Sequence, residues 1–323
     1  MKTAIAQKAG GLVTNGALWT IFDEWMVKSV GGKPLTRTAY KTALKAFAAY
    51  LQSHLNGVDF RQVTEAQIEA YVEFLDGKSY ATKSLYLIAL KNFYRFLTER
   101  GILAVNPTAF VKVKSPKIRK FKKGFLMPEK ARELLKASDG DGIENKRNAA
   151  ILALVLTAGL RACEVVRANL NDFDFDANGG RILFVFGKGR DGKDEYVKVA
   201  PQVEAKIKDY LTARQAENGG LLAVDAPLFV AHSTYKGKRL SERTLSKIAK
   251  NAFAKIGIVS PRFTLHSLRH TCATTNLLSG GSQFETQAVL RHKSAATTAI
   301  YTHELERLKN DSELRVANAL FAC

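Results

Sequence analysis

At 323 residues the chain is long for a single core, and its 46% hydrophobic and 24% charged shares exclude a disordered or fibrous protein, leaving two globular domains as the expectation. A total of 49 Lys and Arg against 30 Asp and Glu gives a formal charge of +19, which calls for a polyanionic partner: nucleic acid ahead of a membrane surface. The cysteines Cys163, Cys272 and Cys323 are too widely spaced for a disulfide framework or a CxxC metal site, and the apolar run from Ala149 to Ala158 is too short for a bilayer span, so a soluble cytoplasmic protein is expected.

Residues 1–110 predict an α-helical domain. A helix over Ala17 to Val30 stops at Gly31-Gly32, and a second, Thr36 to Leu55, carries Tyr40, Leu44, Phe47 and Leu51 on one stripe before Asn56-Gly57 ends it. Thr64 to Leu75 opens with the capping pair Thr64 and Gln67. Thr82 to Glu99 places Leu87, Leu90, Tyr94 and Leu97 on one face, and Gly101 and Pro107 break it.

Residues 111–125 predict a basic linker, with Lys112, Lys114, Lys117, Arg119, Lys120, Lys122 and Lys123 unbalanced by any acid. So dense a cationic run repels itself unless an anion lies beside it, and the segment therefore predicts a strap across DNA phosphates rather than a solvated loop.

Residues 126–323 predict a mixed, mainly α domain with a small antiparallel β-sheet. Helices are expected after Pro128 and from Arg147 to Ala158, where Gly159 supplies a C-terminal stop. The period then shortens: Asp172 to Asp176, Arg181 to Phe186 and Glu195 to Val199 read as strands joined by Asn178-Gly179-Gly180 and by the turn GKGRDGK. Helices resume over Gln202 to Gln215, Ser241 to Ile256, His266 to Leu278, Phe284 to Leu290 and Ala295 to Tyr301.

Four patterns in this second domain suit cleavage of a phosphodiester. In TAGLRACEV, Arg161 follows a helix-ending glycine and Glu164 stands three residues on; a guanidinium offers a planar fork that matches two phosphate oxygens. In FGKGRDGKDE, Lys188 occupies a glycine-flanked turn from which an ammonium can protonate a leaving alkoxide, with Lys193 and Lys198 as rivals. LHSLRHT sets His266 and Arg269 on one helix face, and His270 beside them reads as supporting or structural. His292 precedes Tyr301 by nine positions, and a phenol becomes a nucleophile once a base and a cationic pocket assist it. Singly, each has a plainer explanation: an ion-paired arginine, a solubilising turn lysine, a core histidine, a core tyrosine.

Their order changes the reading. Arg161, Lys188, His266-Ser-Leu-Arg269, His292 and Tyr301, framed by GLRACE, GKG, HSLRHT, LRH and IYTH, resemble the tyrosine recombinases or phage-type integrases, with residues 126–303 resembling the catalytic domain. The helical first domain resembles that family's core-binding domain. The chain departs from the pattern in three places. Arg291 stands where the family usually has glycine, the Lys188 hairpin is longer than usual, and the segment after Tyr301 lacks the ending associated with Xer recombinases.

The resemblance implies a recombinase that cleaves and rejoins double-stranded DNA at paired half-sites, through a 3′-phosphotyrosine on Tyr301 and a Holliday junction. Arg161 and Arg269 would bind the phosphate, and Lys188, or else Lys193, would be the acid. His266 would help deprotonate the tyrosine, His292 would bond a phosphate oxygen, and Glu164 would orient the arginines. Neither ATP nor any metal or other cofactor is expected. The implied protein is nucleoid-associated, works with accessory proteins, and assembles as a homo-tetramer through exchange of the C-terminal tail, where Leu305, Leu308, Val316, Leu320 and Phe321 recur at partly helical spacing. A type IB topoisomerase would share the chemistry without site preference, and a non-catalytic DNA-binding regulator would share only the charge.

Overall fold

In the first unit, helix ends fall at the local stop signals. The computed structural model describes residues 15–30, 34–114, 124–186, 192–308 and 310–321, and its packing divides the chain into Met1–Arg119 and Lys120–Cys323. Helix α1 (Asn15–Trp25) widens into a π-helical turn at Met26–Val30. Helix α2 (Pro34–His54) ends before Asn56 and Gly57, both at positive φ. At the start of α3 (Glu65–Phe74) the Thr64 hydroxyl accepts from the Gln67 backbone and the Gln67 side chain accepts from the Thr64 N–H at 2.9 Å, the reciprocal cap expected there. Helix α4 (Tyr80–Glu99) is capped by Ser79.

These helices bury Phe22, Trp25, Phe47, Tyr71, Phe93 and Tyr94 in one aromatic core. Trp25 stacks on Tyr40 at 5.5 Å, and Phe47 meets Tyr71 edge-on at 5.0 Å. At its centre the Tyr94 hydroxyl donates to the Phe60 carbonyl at 2.8 Å. Val111 belongs to the same core, so the chain is still part of this unit where the basic run begins; Lys112 and Lys114 beside it are exposed. Lys117, Arg119, Lys120, Lys122 and Lys123 lie outside the described residues.

The second unit is built around α6 (Ile143–Ala158), which is apolar on all sides from Ala149 to Leu156 and is accordingly enclosed. Helices α5 (Pro128–Ser138), α8 (Pro201–Asn218) and α10 (Leu265–Leu278) pack around it, and α9 (Glu242–Lys255) covers α5 and α10. Short α7 (Ala162–Arg167) leads into a three-stranded antiparallel sheet, β1 (Phe173–Phe175), β2 (Arg181–Val185) and β3 (Glu195–Lys198), in which Phe173 faces Leu183 and Val185 faces Glu195. Helices α11 (Gln283–Leu290), α12 (Ala295–Leu308) and α13 (Ser312–Phe321) complete the chain.

The fold is thus a helical unit followed by a mainly helical one with a small antiparallel sheet, as expected. Three differences have physical causes. Helix α6 begins a turn early because Arg147 folds inward to donate to the Val230 carbonyl at 3.0 Å, extending the helix with polar residues. Helix α7 is too short to show a period in sequence. Helix α12 runs past Tyr301 to Leu308, since Leu305 one turn on is also buried.

Candidate active site

The site begins where α6 ends. Gly159 adopts φ +58, and a Cβ there would lie 2.6 Å from Leu290 Cδ2, so glycine is required both for the turn and for the approach of α11. That turn directs Arg161, the residue before α7, back against the α11–α12 connection. Its Nη1 donates to Glu164 Oε1 at 2.7 Å, its backbone N–H to Glu164 Oε2 at 2.8 Å, and its Nη2 to the Arg291 carbonyl at 3.2 Å.

Glu164 is fully buried, and it is flanked on its other side by Arg291, whose Nη2 donates to Oε2 at 2.7 Å. Burial pushes such a carboxyl upward; the adjacent Arg291 and Arg161 guanidiniums and the Arg161 N–H outweigh it and hold the group below its usual range. Glu164 is therefore an anion that ties two arginines together.

Arg269, on the buried face of α10, is 1% exposed and donates to the carbonyls of Gly159 and Leu290. Burial, reinforced by the nearby Arg161 and Arg291 charges, lowers its pKa to about 10, still far above neutrality. Arg161 and Arg291 share the carboxylate of Glu164, while Arg269, bonded to carbonyls, lies within the field of all three, so three guanidiniums stand near one carboxylate at this corner.

Tyr301 on α12 is 4% exposed and packs with Cys272, Ala273 and Leu290. Two imidazoles flank its ring: His270 at 5.2 Å and His292, nearly parallel, at 6.3 Å. His292 Nδ1 lies 3.0 Å from the hydroxyl of buried Thr298, and its main chain is held by Gln287, which donates from Nε2 to the His292 carbonyl at 3.0 Å. Burial, with the Arg269, Arg161, His266 and Arg291 charges, depresses His292 to about 4, leaving a neutral ring at physiological pH. His266 is exposed on α10, its ring 4.4 Å from that of His270.

The fold thus gathers Arg161, Glu164, Arg269, His292 and Tyr301, with His266 at the rim. Lys188 lies outside the described residues. Its rivals are engaged elsewhere: Lys193 pairs with buried Asp172, and Lys198 with Asp176 at 3.2 Å. In the sequence Arg291 stands out only as a departure from the family pattern, and neither its bond to Glu164 nor the contact of Thr298 with His292 can be read there. The one local signal was a long cation beside a histidine at a helix end.

Residues 124–307 match the phage integrase family, and residues 26–101 match the phage integrase N-terminal SAM-like domain. The chain belongs to the phage integrase family. It is 31% identical to a tyrosine recombinase XerC of Thermodesulfovibrio yellowstonii, over 84% of this chain and 87% of that one. It is 32% identical to a tyrosine recombinase XerC of Halalkalibacterium halodurans, again over 84% of this chain and 87% of that one. In class, then, this is a tyrosine site-specific recombinase. In fold it resembles the XerH site-specific recombinase bound to palindromic difH substrate (TM-score 0.71, 21% identity, 95% of this chain and 84% of that one) and the Tn1549 transposon integrase in complex with transposon right end DNA (0.69, 16%, 94% and 99%). Among the described residues no helix is long and apolar enough to cross a membrane.

Proposed function

We propose that Tyr301 is the nucleophile of a DNA strand transferase that passes through a 3′-phosphotyrosine and a Holliday junction. The observation that carries this is the approach of Arg161 and Arg269 beside His292 and Tyr301, with Arg291 behind them on the Glu164 carboxylate, a corner with surplus positive charge suited to a phosphate. Attack by the Tyr301 oxygen on phosphorus expels the 5′-oxygen of the next nucleotide. Arg161 and Arg269 stabilise the nonbridging oxygens, and Glu164 orients Arg161. Neutral His292, its Nδ1 turned to Thr298, donates from Nε2 to a phosphate oxygen, while His266 helps to remove the phenolic proton. Lys188 delivers a proton to the leaving oxygen; the engagement of Lys193 by Asp172 leaves Lys188 the better candidate.

The phosphotyrosine conserves the energy of the broken bond, so a 5′-hydroxyl can reverse the step without ATP. The substrate is duplex DNA with paired half-sites, and the basic run at residues 111–125 adds phosphate contacts. We assign the protein to the cytoplasm at the nucleoid, acting as a tetramer with accessory proteins. Helix α13 has no buried residue and exposes Leu314, Val316, Leu320 and Phe321, which suits docking on a neighbouring subunit.

The test is covalent trapping on a nicked duplex carrying a recombination half-site selected from randomised DNA. Wild type should form a protein–DNA adduct in excess EDTA, because side chains supply the cations. Tyr301→Phe should bind the same duplex and form none. An adduct in the variant would move the nucleophile elsewhere, and a chemical step that requires magnesium would overturn the mechanism.

A further inference from the structure

Arg291 ends α11 with φ +52, a conformation that favours glycine, at the very position where the resemblance leads one to expect glycine. A long side chain is retained there despite the backbone cost, and its contacts give the reason. The side chain is 6% exposed. Nη1 donates to the Val289 carbonyl at 2.8 Å and to the Ala158 carbonyl at 3.3 Å; Nη2 donates to Glu164 Oε2 at 2.7 Å and to the Gly159 carbonyl at 3.4 Å. In return, the Arg291 carbonyl accepts from Arg161 Nη2.

These bonds close a ring. Arg161 holds the Arg291 main chain, the Arg291 side chain holds Glu164, and Glu164 holds Arg161. Because Arg291 and the Arg161 backbone both occupy Oε2, the Arg161 guanidinium meets the carboxylate at Oε1 alone rather than through a two-pronged fork. The same ring pins the α11–α12 turn to the end of α6, and the next residue in that turn is His292.

We propose that Arg291 is a positioning residue for strand cleavage: it fixes both the turn that presents His292 and the carboxylate that aims Arg161. Enclosed and directed at protein acceptors, it acts through those neighbours and does not touch the phosphate. Its charge also reaches His292, which faces Arg269 and His266 from α10, Arg161 from the start of α7, and Tyr301 and Thr298 from α12. The inference rests on the assignment of Tyr301 and Arg161 made above.

Its test compares full-length wild type, Arg291→Gly and Arg291→Lys on the nicked half-site duplex. Glycine removes the backbone cost at φ +52, so Arg291→Gly should fold and bind the half-site as wild type does. Its adduct should form about 10- to 100-fold more slowly, the loss expected for displaced catalytic groups. In an NMR titration with labelled imidazoles, the His292 midpoint should rise from about 4 by only a small part of the distance to the ordinary 6.5, because burial and the Arg269, Arg161 and His266 charges stay in place. Arg291→Lys keeps a cation beside Glu164 but cannot span the carbonyls, so it should retain the low midpoint and recover only part of the rate.

A wild-type rate in Arg291→Gly overturns the inference and leaves the Tyr301 assignment intact. An unmoved His292 midpoint in that variant also overturns it. Absence of any adduct in wild type overturns both. Should Arg291→Gly fail to bind the half-site, a wild-type rate in Arg291→Lys would overturn the inference in its place.

Discussion

The first unit fills its interior with the rings of Phe22, Trp25, Phe47, Tyr71 and Phe93, whereas the charged groups buried among the described residues, Arg147, Glu164, Asp172, Arg214 and Arg269, all lie in the second. A buried ring needs neighbours; a buried guanidinium needs acceptors. Arg147 and Arg214 find theirs in the carbonyls of Val230 and Pro227, and they serve to anchor that loop. Arg269 also finds carbonyls, yet it sits within the field of two further arginines, and that repulsion works against folding. Buried charge in this protein therefore has two meanings, and crowding of like charge separates a clamp from a site awaiting an anion.

The comparison can be broken most forcefully at Glu164. Replacing it with alanine strands Arg161 and Arg291 without their shared anion, and the second unit should lose about 3–5 kcal/mol in denaturant unfolding. A loss under about 1 kcal/mol would mean that the arginines are compensated some other way. In the first unit the corresponding lesion is a cavity: Leu90→Ala, at a fully buried position of α4, should cost about 2–5 kcal/mol by the same measurement. It should leave the titration of His292 unchanged, and a shifted midpoint would show that the two interiors are not energetically separate.

The smallest effect concerns pH. His292 is held near 4 in the folded protein by burial and by surrounding cations, against 6.5 ordinarily. Between these values the unfolded chain binds a proton that the native ring refuses, so stability present above pH 6.5 is lost as pH falls towards 4. After solvent screening of a half-buried ring this amounts to about 1 kcal/mol. His292→Gln should flatten that part of the stability profile; an identical slope in the variant would assign it to other groups.

Much of the site was legible because its signals are local or ordered. Gly159 before Arg161, the His266-x-x-Arg269 spacing on α10, and Tyr301 on the last predicted helix all kept their expected elements. Arg291 was legible only as an oddity, since its partner Glu164 lies 127 residues away. Spacing offers no measure of such a pair. Nor does it reveal that Lys193, chemically equal to Lys188 in the sequence, is tied to Asp172.

By itself, then, the sequence determined where most helices and strands begin and stop, the start of α6, the whole of α7 and the end of α12 excepted, because caps, glycines at positive φ and apolar periodicity act over a few residues. It also determined the order of the chemically capable side chains. Only the tertiary structure decided which of them share one carboxylate, which carbonyls receive Arg269, and how far His292 is driven from its ordinary pKa. Those outcomes depend on burial and on charges brought together from α6, α7, α10 and α11, and Coulomb interactions follow distance in space rather than distance along the chain.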